Sequence, residues 1–111
     1  MFARITVIHI HPDRVDEAIE LYKKSVIPEA KKQKGFKAAF FMVDRKVGTG
    51  NAMTFWRSEK DALANEENLY YQEQLVKFIP LFSANPIREG YEVQLCAMSG
   101  LTKKARKRNR S

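Results

Sequence analysis

Residues 51–63 read Asn-Ala-Met-Thr-Phe-Trp-Arg-Ser-Glu-Lys-Asp-Ala-Leu and hold the chain's single tryptophan, Trp56. An indole offers a broad apolar face and one N–H donor that needs a partner when buried. Here it stands where an apolar run gives way to a charged one, with Asn51 shortly before it and Arg57 directly after. Tyr22, Tyr70 and Tyr71 add hydroxyls able to hydrogen-bond a ligand or relay a proton, and Arg57 adds a cation able to pair with an anionic group. Together these groups could hold a small aromatic molecule by its ring and its polar substituents. Packing is the plainer role for each of them. Aromatic residues at strand–helix corners fill cores, and the adjacent Tyr70 and Tyr71 point in different directions, so only one can face a given cavity.

Other chemistry-bearing residues give less. His9 and His11 form an H-x-H pair whose imidazoles would share one strand face, a real metal-ligand spacing, but no motif supplies a third ligand. The residues therefore imply no metal. Cys96 has no C-x-x-C partner and reads as a small buried hydrophobe. Gly-Thr-Gly-Asn at 48–51 is a turn rather than a phosphate cradle, because no helix follows it directly. No nucleophilic triad can be drawn.

The setting is a single domain. A chain of 111 residues with 44% hydrophobic and 11% aromatic content can bury one core. One cysteine excludes an internal disulfide and suits a reducing compartment. No run approaches the ~20 apolar residues of a membrane helix, and the N-terminus lacks a signal-peptide pattern. The expectation is a cytoplasmic protein with no membrane partner. The net charge of +7 is concentrated at the end, where Lys103, Lys104, Arg106, Lys107, Arg108 and Arg110 leave the remainder at +1. That tail has no aromatic residue to stack on a base, so it favours a solvated, disordered appendix over a nucleic-acid partner.

These side chains must be positioned by strands and helices in a definite order. Phe2 to Ile10 is β-branched and apolar, a strand covered on both faces. Asp13 can cap the helix that follows, whose apolar face runs through Val15, Ala18, Ile19, Tyr22, Val26 and Ile27. Pro28 should bend or break that helix, and Gly35 closes it. Residues 36–44 and 51–57 form a hairpin of two strands. Ser58 caps a short helix, a break falls near Asn68, and a second helix runs on to Pro80. Residues 90–98 form the last strand. The order β-α-β-β-α-β predicts an α+β, ferredoxin-like domain with a four-stranded antiparallel sheet over residues 1–98, and a basic tail over 99–111. The hairpin strands are apolar on both faces. A second copy stacked face to face is the simplest cover for the bare side, which predicts a homodimer through the sheet.

The topology, the apolar hairpin and the run from Thr54 to Phe82 resemble the antibiotic biosynthesis monooxygenase domain, one of the dimeric α/β-barrel families. The most specific part is the Trp-x-Ser-x-x-x-Ala-Leu pattern of Trp56, Ser58, Ala62 and Leu63. The resemblance implies a cofactor-independent monooxygenase, in which O2 oxidises a small quinol or phenol held between sheet and helices. Trp56 would then be a pocket wall and N–H donor, the catalytic residue. Tyr22, Asn51, Arg57, Asn65 and Tyr70 would contact the substrate. Some departures bear on this. The asparagine of polyketide-oxidising members corresponds to Ala52, with Asn51 one residue off and on the other face unless Gly50 bulges. Histidines of many members correspond to Asn65 and Tyr70, and an asparagine of haem-degrading members corresponds to Thr6. A haem-binding or haem-degrading relative and a non-catalytic ligand-binding module are the alternatives.

Overall fold

The structure, a computed structural model, describes residues 1–99; the basic stretch of the tail lies outside the described residues. Strand β1 (Phe2–His9) leads through a 3-10 turn at Pro12–Arg14 into helix α1 (Val15–Leu21). A π-helical turn at Tyr22–Val26 and helix α2 (Ile27–Lys31) continue the same rod. Strands β2 (Phe36–Val43) and β3 (Thr49–Trp56) follow, then helices α3 (Glu59–Glu67) and α4 (Tyr70–Phe78), and finally strand β4 (Ile87–Glu92). The sheet order is β2-β3-β1-β4 with every neighbouring pair antiparallel. This is the α+β, ferredoxin-like arrangement the sequence pattern predicts.

Local chemistry explains the elements and their exceptions. The Ser58 hydroxyl accepts the Asp61 N–H at 3.1 Å and caps α3. Asp13 caps nothing: it lies within the 3-10 turn, and α1 has no side-chain cap. Gly48 closes the hairpin at φ +83°, and a Cβ there would stand 1.8 Å from the Ile10 carbonyl oxygen, so only glycine fits. Pro28 does not end its helix. It lacks the N–H that would reach back to the fourth residue before it, and the wider π-turn just upstream absorbs that loss.

Face assignment follows from the register. Thr6 pairs with Ala52 on one side and Arg88 on the other, and Phe41 also pairs with Ala52, so these four share the helix-covered face. Val7, Asn51 and Met42 share the opposite, uncovered face. A register shift between Phe36 and Ala38 turns Phe36 onto the helix face beside Trp56. Strict alternation would have placed it with Phe40 and Met42, but an inserted residue reverses everything before it. The core lies between the sheet and the helices, around Ile8, Ile10, Val15, Ala18, Tyr22, Val26, Phe78 and Leu81.

The last strand begins three residues earlier than its sequence suggests and ends at Glu92. Its apolar continuation is not strand: Leu95 and Met98 are exposed, as is Cys96, which therefore is not the buried hydrophobe its neighbours implied.

Candidate functional site

Between the helix face of the sheet and the helices lies an open-mouthed cavity. Its floor is sheet: Thr6 and Ile8 of β1, Phe41 of β2, Ala52 and Thr54 of β3, and Arg88 of β4. Tyr22 and Val26 reach it from the two ends of the π-helical turn, while α3 and α4 supply Asn65, Tyr70, Tyr71 and Gln74, so both adjacent tyrosines border the one cavity and the expectation that only one could is corrected. The π-turn thus re-aims a tyrosine and a valine into the same space, a common use of such turns at functional sites.

Three of the candidate residues, Tyr22, Asn65 and Tyr70, line the cavity. Tyr22 donates its hydroxyl to the Phe40 carbonyl and Tyr70 to the Val26 carbonyl, both at a long 3.4 Å. Burial pushes both phenols above their ordinary value, Tyr70 to about 12. At neutral pH both stay protonated, and with each O–H spent on a carbonyl the oxygen can accept a hydrogen bond from a ligand but not take its proton. Asn65 is 2% exposed and spends its amide N–H groups on the carbonyls of Asp61 and Ala62.

The other three lie elsewhere. Asn51 faces the uncovered side, because β3 runs through Gly50 in unbroken register with β1 and no bulge turns it. Arg57 lies past the strand end and pairs with Asp61 at 2.9 Å, its side chain largely in water. Trp56 is fully buried but packs edge-on against Phe36 rather than lining the cavity. Its N–H goes to the Thr54 hydroxyl at 2.9 Å. Thr54 does line the cavity, and among the described residues its own O–H has no protein acceptor. The indole therefore reaches the cavity through Thr54.

Sequence reasoning missed the polar end. Arg88 lies over the Tyr71 ring, 3.6 Å from its centroid. It donates to the Thr6 hydroxyl at 3.0 Å and to Glu66 at 3.1 Å. Arg4 donates to the same Glu66 carboxylate at 3.1 Å. The Nε of Arg4 also stands 2.8 Å from Glu66, close enough for ion pairing, but its N–H is not aimed at that oxygen and remains unbonded. The Nε of Arg88 is likewise buried without a partner. Burial, with Arg4 adding to it, pulls the Arg88 guanidinium down from its ordinary value, although such a group stays charged. The signal in the sequence was Arg88 itself, two residues from Pro86 and inside the true strand rather than ahead of it.

Among the described residues no three His, Cys, Asp or Glu side chains gather into a metal-binding group. No helix of the described residues is long and apolar enough to cross a membrane.

No protein-family model matches the sequence, and no curated protein matches it. Solved structures do. A monooxygenase from the ActVA-Orf6 gene of Streptomyces coelicolor, in complex with nanaomycin D, superposes with a TM-score of 0.69 at 15% identity, covering 89% of this chain and 92% of that one. A protein assigned as an antibiotic biosynthesis monooxygenase from Nitrosomonas europaea gives 0.70 at 13% identity, covering 86% and 100%. One from Bordetella bronchiseptica, assigned likewise, gives 0.71 at 12% identity, covering 85% and 97%. At identities that speak for the fold alone, this chain has the fold of the antibiotic biosynthesis monooxygenase proteins.

Proposed function

We propose that the protein is a cofactor-independent monooxygenase that oxidises a small quinol or phenol with O2 in the cavity between sheet and helices. The observation that carries this reading is the cavity's make-up, an apolar chamber of Ile8, Val26, Phe41 and Phe78 with a few inward polar groups. A phenol oxidised to a quinone supplies four electrons, and O2 takes them to become one carbonyl oxygen and one water. The protein needs only to hold the ring, favour its anionic form and stabilise the reduced oxygen. Arg88 supports the second task as the cavity's cation. Thr54 serves the third as an O–H donor whose acceptor side is fixed by Trp56. Trp56 is then a positioning residue, and Tyr22 and Tyr70, whose O–H groups go to backbone carbonyls, orient the substrate by accepting from its hydroxyls.

The uncovered face belongs to the same proposal. Phe40 and Met42 are about half exposed and Phe40 stacks edge-on against Phe55, an apolar patch suited to a second copy of the chain. The expected assembly is a homodimer through that face.

The test is oxygen uptake by metal-free protein with a panel of reduced quinols and phenols, against Thr54→Val and Trp56→Phe. Uptake above autoxidation that falls in both variants supports the reading. Binding without turnover across the panel would instead identify a ligand-binding module of the same fold.

A further inference from the structure

The cavity's polar end is electrically incomplete. Two guanidinium groups, Arg4 and Arg88, meet one carboxylate, Glu66, which among the described residues is the only acidic group either contacts. The Arg4 and Arg88 side chains are 14% and 19% exposed. A largely buried cluster with one uncancelled positive charge is costly to hold in an apolar setting unless something neutralises it. The neighbouring groups cannot do so. Thr6 is neutral, Tyr71 offers its ring face and a hydroxyl 3.5 Å from Thr6, and the cavity phenols Tyr22 and Tyr70 are held protonated by burial. Arg88 alone of the pair lines the cavity.

We infer that the cavity binds an aromatic acid: an apolar ring system lying among Ile8, Val26, Phe41 and Phe78, with one anionic oxygen group directed to Arg88 and Thr6. This deepens the proposed function by naming the substrate's charge, and it rests on that reading for the identity of the site. The anionic oxygen can belong to a carboxylate or to a phenolate. In either case it supplies the charge the cluster lacks, while Glu66 holds both guanidinium groups in place. Arg88 is then the specificity-determining residue, and Glu66 tunes the strength of the site by cancelling part of its charge.

The test compares 2-naphthoate with the uncharged 2-naphthamide, by calorimetric titration of the full chain at pH 7. A charge-assisted contact favours the acid by about tenfold or more. Arg88→Met should abolish the preference. Because that variant could disturb folding, Glu66→Gln is measured beside it and should shift binding the opposite way, tightening the acid, with thermal melts recorded for both. A third ligand, 2-naphthol, separates the two sources. A phenolate absorption band in the bound form at pH 7 marks a site that ionises phenols, whereas a neutral bound naphthol beside tight naphthoate marks a carboxylate site. Equal affinity for acid and amide with naphthol bound neutral would overturn the inference, as would failure of all three to bind. Acid-selective binding without oxygen uptake would sink the monooxygenase reading and leave the anion site standing. Turnover of neutral quinols with no preference for the acid would do the reverse.

Discussion

The two faces of the sheet are built from the same strands to opposite ends. On the helix side, Thr6, Ala52, Thr54 and Arg88 form a floor in which most polar groups are hydrogen-bonded. On the other side, Phe40, Met42, Ile87 and Tyr91 are each about half exposed. Side chains one residue apart in β3 thus serve different tasks: Thr54 and Trp56 build a site, while Met53 and Phe55 build a surface. Period-two alternation separates the two, so the proposed site and the proposed interface can be altered independently.

The comparison breaks hardest on the open face. Phe40→Asp places a charge at the centre of the apolar patch. If a second copy covers it, the unpaired buried charge costs about 3–5 kcal/mol and the assembly falls apart. Sedimentation equilibrium should show dimer for the parent chain and monomer for the variant. A parent chain that sediments as a monomer would refute the dimer outright. Comparable in size but opposite in place, Trp56→Ala should cost about 3–5 kcal/mol in chemical denaturation, since Trp56 is fully buried. Trp56→Ala should leave sedimentation unchanged. If both substitutions alter both readouts, the two faces are not separable.

Next in size are effects confined to the site. Removing a positioned donor to a developing oxyanion typically lowers turnover about a hundredfold, and Thr54→Val is expected to do so for oxygen uptake. Trp56→Phe acts through the same hydroxyl, so the double variant should be little worse than Thr54→Val alone. Multiplying losses would mean that the indole touches the substrate by a separate route.

Much of the fold was legible because it rests on short-range rules. Two apolar runs joined by a short turn with Gly48 marked the β2–β3 hairpin, Ser58 marked the start of α3, and the polar stretch ending at Asn68 marked the break before α4. Of the candidate residues, Tyr22 follows from the apolar face of the first helix and Asn65 from the family resemblance, and with Tyr70 they line the cavity, although the π-turn that delivers Tyr22 was not legible. The losses have specific causes. One inserted residue between Phe36 and Ala38 reversed Phe36, and no insertion at Gly50 was present to rescue Asn51. Arg88 was overlooked because the apolar residues 93–98 drew the last strand forward, although β4 spans Ile87–Glu92. The bond from Trp56 to Thr54 joins residues two apart on one face, a spacing the sequence contained and composition alone could not interpret.

The smallest effect tests whether the cavity phenols are structural as well as available to a ligand. Tyr70→Phe removes a hydroxyl that donates to the Val26 carbonyl at 3.4 Å, a long bond, so the loss at neutral pH should be about 0.5–1 kcal/mol. Its pH dependence is more telling. Burial favours the neutral phenol and raises it from 10.0 to about 12 in the folded chain. A group whose native value is raised contributes fully below its ordinary value and loses that contribution as pH climbs through the native one. Tyr22 is raised for the same reason, so both phenols should make stability fall above about pH 10. Denaturant midpoints from pH 8 to 12 should therefore decline more gently in Tyr70→Phe than in the parent, so that the two curves cross above pH 10. Parallel curves would mean that Tyr70 ionises as freely in the fold as in the open chain, and that its hydroxyl meets more water than its burial implies.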